Sequence, residues 1–315
     1  MDTVTLTIDG RQITVDNGET VLQDFSYTFG PDRSRMEFPR RDVNGYWMCD
    51  IGRFDCHWIE GDDRLRRPLE RVDDAQQPVS WHEILSKLGD RIVAARTSNP
   101  HGVCVLLSAH ASHEELSVFG RLTEAFFGKS TLGPPAISMS WRYQPKSQPE
   151  GTKFTVPPVD APNVNGALMF GFVDGQVGDE FPQADVSVLR AAVDAGHVSA
   201  LYVFDPGPKG SIGDVGSIIN ARSRGTLLLI VQGVLLTDLA RATDFVLPRA
   251  SYVEKEASYT NDQGPFREGP ARFRCPARQW KTGRFWSVSP PRSACRTITR
   301  TPHTFAPTAR RDMRM

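Results

Sequence analysis

Short runs of consecutive apolar residues alternate with helical patterns between residues 81 and 248, and this alternation most limits the possible folds. The clearest apolar runs lie at residues 102–107, 199–204 and 226–231. Runs of this length without polar alternation are typical of strands buried on both faces of a parallel sheet. Two weaker runs, at 167–170 and 245–247, are also predicted to be strands.

The segments between these runs carry helical periodicity. Apolar residues at 81–93 fall on one helical face. Ser112 followed by Glu115 forms a capping-box signature ahead of a second helix. Further helices are predicted at 186–195 and 235–242. Because strands alternate with helices, we predict an α/β fold with a mostly parallel sheet and flanking helices.

Composition excludes several classes of partner. The 37 Lys and Arg residues balance 37 Asp and Glu residues, so no net charge attracts nucleic acid or anionic lipid. No apolar run approaches the ~20 residues that span a bilayer, and the start MDTVTLTIDG lacks a secretion signal. Five irregularly spaced cysteines argue against a disulfide framework. We therefore expect a cytoplasmic protein that reaches a membrane only indirectly and binds no nucleic acid.

The two ends of the chain differ from this central region. Alternating residues at 3–8 and 11–15 flank Asp9-Gly10, a typical two-residue hairpin turn. Residues 287–315 are rich in Ser, Thr, Pro and Arg, which predicts disorder. We predict four segments: a hairpin and linker (1–38), an aromatic-rich segment (39–75), the α/β domain (76–272) and a basic, disordered tail (273–315).

Three stretches carry longer motifs. Residues 4–23 read VTLTIDGRQITVDNGETVLQ, residues 42–54 read DVNGYWMCDIGRF, and residues 236–264 contain ATDFVLP, EK and YTN. The first stretch resembles the opening hairpin of a ferredoxin-type β-grasp domain. The remaining two resemble the VNxxWxCDxGRF and ADVVLP…EKxGTFTNxEGR stretches of the large Fe–S subunit of NADH:quinone oxidoreductase (complex I) and of the molybdopterin oxidoreductase superfamily.

This resemblance implies a definite architecture. In that family the large subunit carries a 2Fe–2S ferredoxin domain, then 4Fe–4S clusters, then a molybdopterin-enzyme-like α/β region. In complex I members the last region is generally a scaffold without the cofactor, and electrons pass through the clusters. The resemblance therefore implies a β-grasp hairpin remnant, a molybdopterin-oxidoreductase-like domain, and other peripheral-arm subunits as partners.

The cysteines depart from the family pattern. Residues 24–48 contain none, although an Fe–S cluster needs about four thiolate ligands. Cys49 matches the distant fourth ligand of an additional 4Fe–4S cluster, and its three partners are missing. Cys49, Cys56 and His57 also fall one short of a four-ligand zinc site. We therefore interpret the chain as a shortened member with no cofactor expected; a 4Fe–4S cluster held partly by Cys49 is the alternative.

Two further candidate sites have a simpler structural interpretation. His110 and His113 flank a helix start and could form a dyad, but polar residues in a strand-to-helix loop are the favoured interpretation. Residues 207–213 (GPKGSIG) resemble a phosphate-cradling loop. Their spacing matches neither G-x-G-x-x-G nor the P-loop motif, so a plain connection between strand and helix is favoured.

The leading functional hypothesis is a non-catalytic scaffold-type subunit, or a degenerate copy of one, in the peripheral arm of an NADH:quinone oxidoreductase. Such a subunit would lie at the inner membrane only through the complex. A second hypothesis is a molybdopterin-dependent, formate dehydrogenase-like oxidoreductase, which needs a Cys, Sec or Ser metal ligand. An Fe–S electron-transfer protein is a third hypothesis, and a fragment of a rearranged gene is a fourth.

Overall fold

A computed structural model describes most of the chain between residues 57 and 260, together with the strands of an amino-terminal hairpin and residues 266–269. The described residues are 3–8, 11–16, 57–127, 135–143, 147, 158–173, 186–208, 211–260 and 266–269. The chain divides into two compact units, residues 1–64 and 65–315. The four segments predicted from the sequence remain a prediction.

The first unit contains the hairpin that the sequence predicts. Strands β1 (Thr3–Ile8) and β2 (Arg11–Asp16) pair antiparallel, with Ile8 opposite Arg11. A short 3-10 helix, His57–Ile59, lies near the end of this unit. The register leaves two residues for the turn, as the Asp-Gly signature requires.

The second unit is built on a mixed sheet that has seven strands among the described residues. These are β3 (Leu69–Val72), β4 (Ala75–Pro78), β5 (Val103–Ser108), β6 (Ile137–Ser140), β7 (Ala200–Asp205), β8 (Leu228–Gly233) and β9 (Phe245–Pro248). Their spatial order is β4-β3-β9-β8-β7-β5-β6. The strands from β9 to β6 run parallel, and the β3–β4 hairpin joins antiparallel beside β9. The predicted mostly parallel sheet is confirmed.

Helices flank this sheet. They are α1 (Trp81–Ser98), α2 (His113–Phe127), α3 (Val164–Met169), α4 (Ser187–Asp194), α5 (Gly216–Ser223) and α6 (Asp238–Ala242). Side-chain caps start three of them: Ser80 accepts from the Glu83 N–H at 3.2 Å, Ser112 from the Glu115 N–H at 3.4 Å, and Thr237 from the Ala240 N–H at 3.3 Å. None of the described helices is long and apolar enough to cross a membrane.

The sheet is buried on both faces. Leu107 and Tyr202 belong to a core cluster shared with α1, α2 and α3. Leu106 and Val203, the alternate positions on β5 and β7, belong to a second cluster shared with α4, α5 and α6. Because side chains alternate across a strand, continuous apolar runs such as β5 supply both cores at once.

Three elements differ from the prediction. Residues 167–170, predicted as a strand, lie in and just after α3, because a short apolar run does not distinguish a buried helix from a strand. β3 lies inside the aromatic-rich segment (39–75), for which no strand is predicted. β6 is a further strand that the sequence does not predict, because its four residues ISMS are too few to show a pattern.

A last hairpin follows the sheet. After a 3-10 helix at Tyr252–Glu254, β10 (Ala257–Thr260) pairs antiparallel with β11 (Phe266–Gly269). Asn163 ties β10 to the loop before α2: its side chain accepts from the Thr260 N–H at 2.8 Å and donates to the Ala111 carbonyl at 2.7 Å. The hairpin therefore lies against the starts of α2 and α3.

Candidate functional site at the carboxyl edge of the sheet

The parallel strands β5, β7, β8 and β9 end at one edge of the sheet, here called the carboxyl edge. Open α/β sheets bind ligands outside the carboxyl ends of their strands. Three polar side chains follow these ends: His110 after β5, Asp205 at the end of β7 and Arg249 after β9. This edge is therefore the candidate region for ligand binding or catalysis.

Three charged side chains form a buried cluster behind this edge, here called the ion cluster. Glu115 Oε1 lies 2.5 Å from Arg249 Nη2, and Glu115 Oε2 lies 2.6 Å from Lys255 Nζ. Glu115 Oε2 also accepts from the Ser112 N–H at 3.0 Å, so the predicted capping box is confirmed. The Arg249 guanidinium in addition lies 4.8 Å from the centre of the Phe204 ring. All three charged side chains are buried.

Burial and charge act against each other in this cluster. Burial would raise the pKa of Glu115, but Arg249 and Lys255 outweigh it, so this pKa lies below its ordinary value. Burial and the charge of Arg249 lower the pKa of Lys255 to about 8, against the opposing effect of Glu115. A buried group of this kind tolerates the loss of one member poorly, because the remaining charges lose their partner.

The loop after β7 is closed by its own hydrogen bonds. Asp205 Oδ1 accepts from the Ser211 N–H at 2.8 Å and from the Ser211 hydroxyl. The Gly207 N–H donates to Ser211 Oγ at 3.3 Å. A Cβ atom on Gly207 would lie 2.4 Å from Ser211 Cβ and 2.9 Å from His110 Cγ, so only glycine fits. These N–H groups contact the chain's own side chains, which supports the plain-connection interpretation of this loop.

A carboxylate binds the amino end of the helix that follows this loop. The Gly216 N–H, at the start of α5, donates to Asp214 Oδ1 at 3.0 Å. A carboxylate at a helix amino end occupies the position that favours a phosphate in nucleotide-binding folds. Lys209, the cation of the GPKGSIG loop that resembles a phosphate-cradling loop, lies outside the described residues.

The two candidate histidines have separate partners. His110 Nδ1 lies 3.2 Å from Ser108 Oγ, and burial lowers the pKa of His110 to about 4. His113 Nδ1 lies 3.1 Å from Ser258 Oγ, and its Nε2 lies 3.0 Å from Thr260 Oγ1. His113 thus helps to hold β10 on α2, which supports the structural interpretation over a catalytic dyad.

The cysteine predictions are tested only in part. Cys49 and Cys56 lie outside the described residues, so the ligand prediction for Cys49 stays a prediction. Cys104 is buried in β5 as predicted for a core residue, and burial raises its pKa to about 12. Within the described ranges, no three His, Cys, Asp or Glu side chains are grouped to hold a metal ion.

The sequence did not identify the ion cluster as a unit. It marked Glu115 as a capping residue and Lys255 as part of a motif, but Arg249 carried no local signal. The Glu115–Arg249 pair joins residues 134 positions apart. Only the charge of Arg249 directly after a buried strand could have suggested that a carboxylate lies nearby.

The opposite edge of the sheet, here called the amino edge, carries an open groove of about 610 Å³. Its walls come from the last turns of α1 and α5 and from the starts of β7 and β8. Arg222 Nη2 pairs with Asp244 Oδ1 at 3.0 Å, and Asp244 Oδ2 accepts from the Leu229 N–H at 2.8 Å. The Thr226 hydroxyl donates to the Ala221 carbonyl at 2.9 Å. The polar groups of this groove thus serve the fold itself.

Comparison with known proteins finds similarity to one family over part of the chain. Residues 163–279 match the family model described as molybdopterin oxidoreductase. Over 96 residues the chain is 36% identical to a G-type subunit of the NADH-quinone oxidoreductase of Rhizobium meliloti (strain 1021), which covers 30% of this chain and 11% of that protein. Over 83 residues it is 34% identical to the alpha subunit of F420-dependent formate dehydrogenase 1 of Methanococcus maripaludis, which covers 26% of this chain and 12% of that protein.

Among solved structures, acetylene hydratase from Pelobacter acetylenicus aligns with a TM-score of 0.41 and 11% identity, over 90% of this chain and 66% of that chain. Residues 163–279 are thus similar to the molybdopterin oxidoreductase family, in line with the resemblance stated from the sequence. The matched stretches span only 11% and 12% of the lengths of the two curated relatives. These matches are compatible with a relationship to a complex I subunit and equally with a relationship to a formate dehydrogenase.

Proposed function

We propose that this protein is a non-catalytic, scaffold-type subunit, or a degenerate copy of one, in the peripheral arm of an NADH:quinone oxidoreductase. One observation carries the proposal. At the carboxyl edge, the hydrogen-bond donors of the loop after β7 are bound to the chain's own Asp205 and Ser211. A loop whose described N–H donors bind the chain's own side chains suits a structural role better than a cofactor site.

The loop after β7 and the start of α5 are a poor fit for the phosphate groups of a bound molybdopterin. A pterin with its phosphate groups needs backbone N–H donors and positive charge that face outward. Here the donors of Gly207 and Ser211 point into the loop, and Asp214 places a negative charge at the start of α5. The two cations of the ion cluster are buried against Glu115. No step of a reaction is therefore assigned to this domain.

The similarity to the G-type subunit of the Rhizobium enzyme supports the complex I assignment. In this proposal the partners are the other peripheral-arm subunits. The protein would lie on the cytoplasmic side and contact the inner membrane only through the complex. Electron transfer from NADH to quinone would pass through neighbouring clusters rather than through this domain.

Cofactor analysis of the anaerobically purified chain tests the non-catalytic part of the proposal. We expect iron, acid-labile sulfide and the fluorescent oxidation product of molybdopterin each to lie well below one per chain. Cys49→Ser is the matched variant, because Cys49 is the single candidate ligand. About four iron atoms per chain that disappear in Cys49→Ser would instead support the Fe–S alternative.

Co-expression tests the subunit part of the proposal. The tagged chain is co-expressed with the peripheral-arm subunits of an NADH:quinone oxidoreductase from the same source, and the purified material is weighed by native mass spectrometry. We expect a stoichiometric complex that contains the chain. Failure to join the arm under conditions where the remaining subunits assemble would refute the assignment.

A second candidate function is a molybdopterin-dependent oxidoreductase. The 34% identity to the alpha subunit of an F420-dependent formate dehydrogenase favours it. The cofactor analysis separates the two candidates, because this alternative requires one equivalent of the pterin oxidation product per chain. Stoichiometric pterin would replace the scaffold proposal with this one.

A further inference from the structure

The groove at the amino edge has one arginine on each of two facing walls, and the two arginines differ in what they contact. Arg222, on the α5 wall, is held by Asp244 Oδ1 through Nη2 at 3.0 Å and through Nε at 3.3 Å. Arg91, on the α1 wall, is exposed, and its guanidinium lies 6.0 Å from the centre of the Phe245 ring. Because Asp244 and Phe245 are consecutive, both arginines contact the chain where β9 begins.

The charge of Arg91 is not neutralised within the part of the chain that the structure describes. Asp244 is the only acid among the described residues that line the groove, and both of its oxygens are engaged, Oδ1 by Arg222 and Oδ2 by the Leu229 N–H. No described carboxylate forms an ion pair with Arg91, and Nη1 of Arg222 donates to no described residue. The described walls therefore carry a net positive charge and guanidinium donors that face solvent.

The hydroxyl groups of the groove already serve the fold. Ser98, Ser199, Ser223 and Thr226 each donate to a backbone carbonyl. Among the described walls, the side-chain donors left for a ligand thus belong to the two guanidinium groups. Guanidinium groups bind carboxylates and phosphates with two parallel hydrogen bonds. The groove therefore suits an anionic group rather than a neutral polar one.

The helix ends favour a carboxylate over a phosphate. Helices α1 and α5 both end at this groove, and a helix carboxyl end carries partial negative charge. This charge opposes a doubly charged phosphate more strongly than a singly charged carboxylate. Phosphates are instead bound at helix amino ends.

The openness of the groove favours a polypeptide over a small molecule. Its volume of about 610 Å³ would hold a small ligand, but small-molecule sites bury most of the ligand surface. A small carboxylate in this open groove would stay largely exposed, and a single exposed pair with a guanidinium is weak. A segment with several carboxylates can pair with both arginines and also contact α1 and α5. Arginine is moreover enriched at protein–protein contacts.

We propose that the amino-edge groove binds an acidic segment of a partner polypeptide, whose carboxylates pair with Arg91 and with Nη1 of Arg222. The choice of partner, a neighbouring peripheral-arm subunit, rests on the proposed function. The preference of the groove for an acidic segment rests only on its own charges and donors, so the two parts are tested separately.

A short poly-glutamate peptide, labelled with fluorescein and carrying one photo-reactive benzoylphenylalanine, tests the groove on the purified full-length chain. Fluorescence anisotropy at low salt measures its affinity, and illumination cross-links the peptide where it is bound. Mass spectrometry then locates the cross-links. We expect them in the last turns of α1 and α5, and we expect the affinity to fall as salt is added, because salt screens exposed charges.

Two variants with the same net charge separate the groove from the rest of the surface. Arg91→Glu replaces an attraction by a repulsion, so it should weaken peptide binding on the order of tenfold. Arg121→Glu is the matched control, because Arg121 is exposed on α2 and does not line the groove. We expect this control to bind the peptide nearly as the unmodified chain does. Circular dichroism checks that both variants fold, and both change exposed helix residues.

Three results would overturn the inference: equal weakening by both variants, cross-links that lie only outside the groove, and no binding of the peptide at low salt. Displacement of the peptide by equal concentrations of free succinate or inorganic phosphate would also overturn it, because the groove would then be a small-molecule site.

Co-expression with the peripheral-arm subunits tests the choice of partner. Arg91→Glu should lower the yield of the complex relative to Arg121→Glu, and equal yields would overturn that choice. A chain that does not join the arm but still binds the peptide in the groove would refute the proposed function and support the acidic-segment site.

Discussion

The two edges of the parallel sheet are built differently. At the carboxyl edge, where related architectures bind ligands, Glu115, Arg249 and Lys255 are buried and paired with one another. At the amino edge an open groove remains, and its Arg222–Asp244 pair is only partly buried. The strongly interacting charges thus lie at the edge where ligand binding would be expected, but they pair with one another and stabilise the fold. The largest energetic effects should therefore come from the carboxyl edge.

The largest effect is expected from Glu115→Gln. The substitution keeps the shape of the side chain but leaves Arg249 and Lys255 buried without a counter-charge, which costs about 3–5 kcal/mol. Urea unfolding followed by circular dichroism measures this loss. The control is Glu83→Gln, which removes an exposed ion pair with Lys87 and should cost far less, because solvent screens exposed charges. Similar losses for both variants would remove the distinction between buried and exposed pairs.

The second effect is a loss of stability in mild acid that depends on His110. The pKa of His110 is about 4 in the folded chain against an ordinary value of 6.5, so the unfolded chain binds more protons between these values. The free energy of unfolding therefore falls as pH falls from 6.5 towards 4, by a total on the order of 3 kcal/mol.

His110→Gln should flatten this pH dependence, because the group that gains a proton on unfolding is absent. Chemical unfolding at about pH 7, 6 and 5 measures the slope. His101→Gln, which changes an exposed histidine, should leave the slope as in the unmodified chain. A slope that His110→Gln does not change would assign the acid sensitivity to another group.

A smaller loss is expected from Gly207→Ala. The new Cβ would lie 2.4 Å from Ser211 Cβ, which forces the closed loop of the carboxyl edge to shift and costs about 1–3 kcal/mol. Gly89→Ala is the matched control: Gly89 lies inside α1 with nothing within 4 Å of the added atom. That change should stabilise by about 0.5–1 kcal/mol. Thermal unfolding of both variants should thus give shifts of opposite sign.

The smallest effect is expected at the amino edge. Arg222→Met removes the ion pair with Asp244, whose side chains are about one-fifth exposed, so the loss should be about 1 kcal/mol or less. The loss should shrink further in about 1 M salt, because salt screens partly exposed charges. A loss as large as that of Glu115→Gln would contradict the comparison of the two edges.

Local sequence patterns predicted much of the fold for a physical reason. The runs that became β5, β7 and β8 are buried on both faces, so nearly every residue in them is apolar. The Ser112–Glu115 signature acts within a single helical turn, and it appears as predicted. The prediction was wrong for α3 and missed β6, because four to six residues are too few to distinguish helical from strand periodicity.

The candidate site was less predictable than the fold. The sequence pointed to Cys49 and to the loop at 207–213, through family motifs and glycine spacing. Neither source of information describes how side chains meet across the sheet. The closure of that loop depends on Ser211 turning back to Asp205, and the close approach of Gly207 to Ser211 and His110 leaves no room for a larger residue there.

By itself, the sequence determined the layered α/β architecture, because hydrophobic periodicity and helix caps act between residues a few positions apart. Only the tertiary structure decided that Arg249 and Lys255 share Glu115, and that β3 and β4 join the sheet beside β9. These contacts join residues more than a hundred positions apart. Their free energy appears only after the chain has folded, when water is excluded and each buried charge must find its partner.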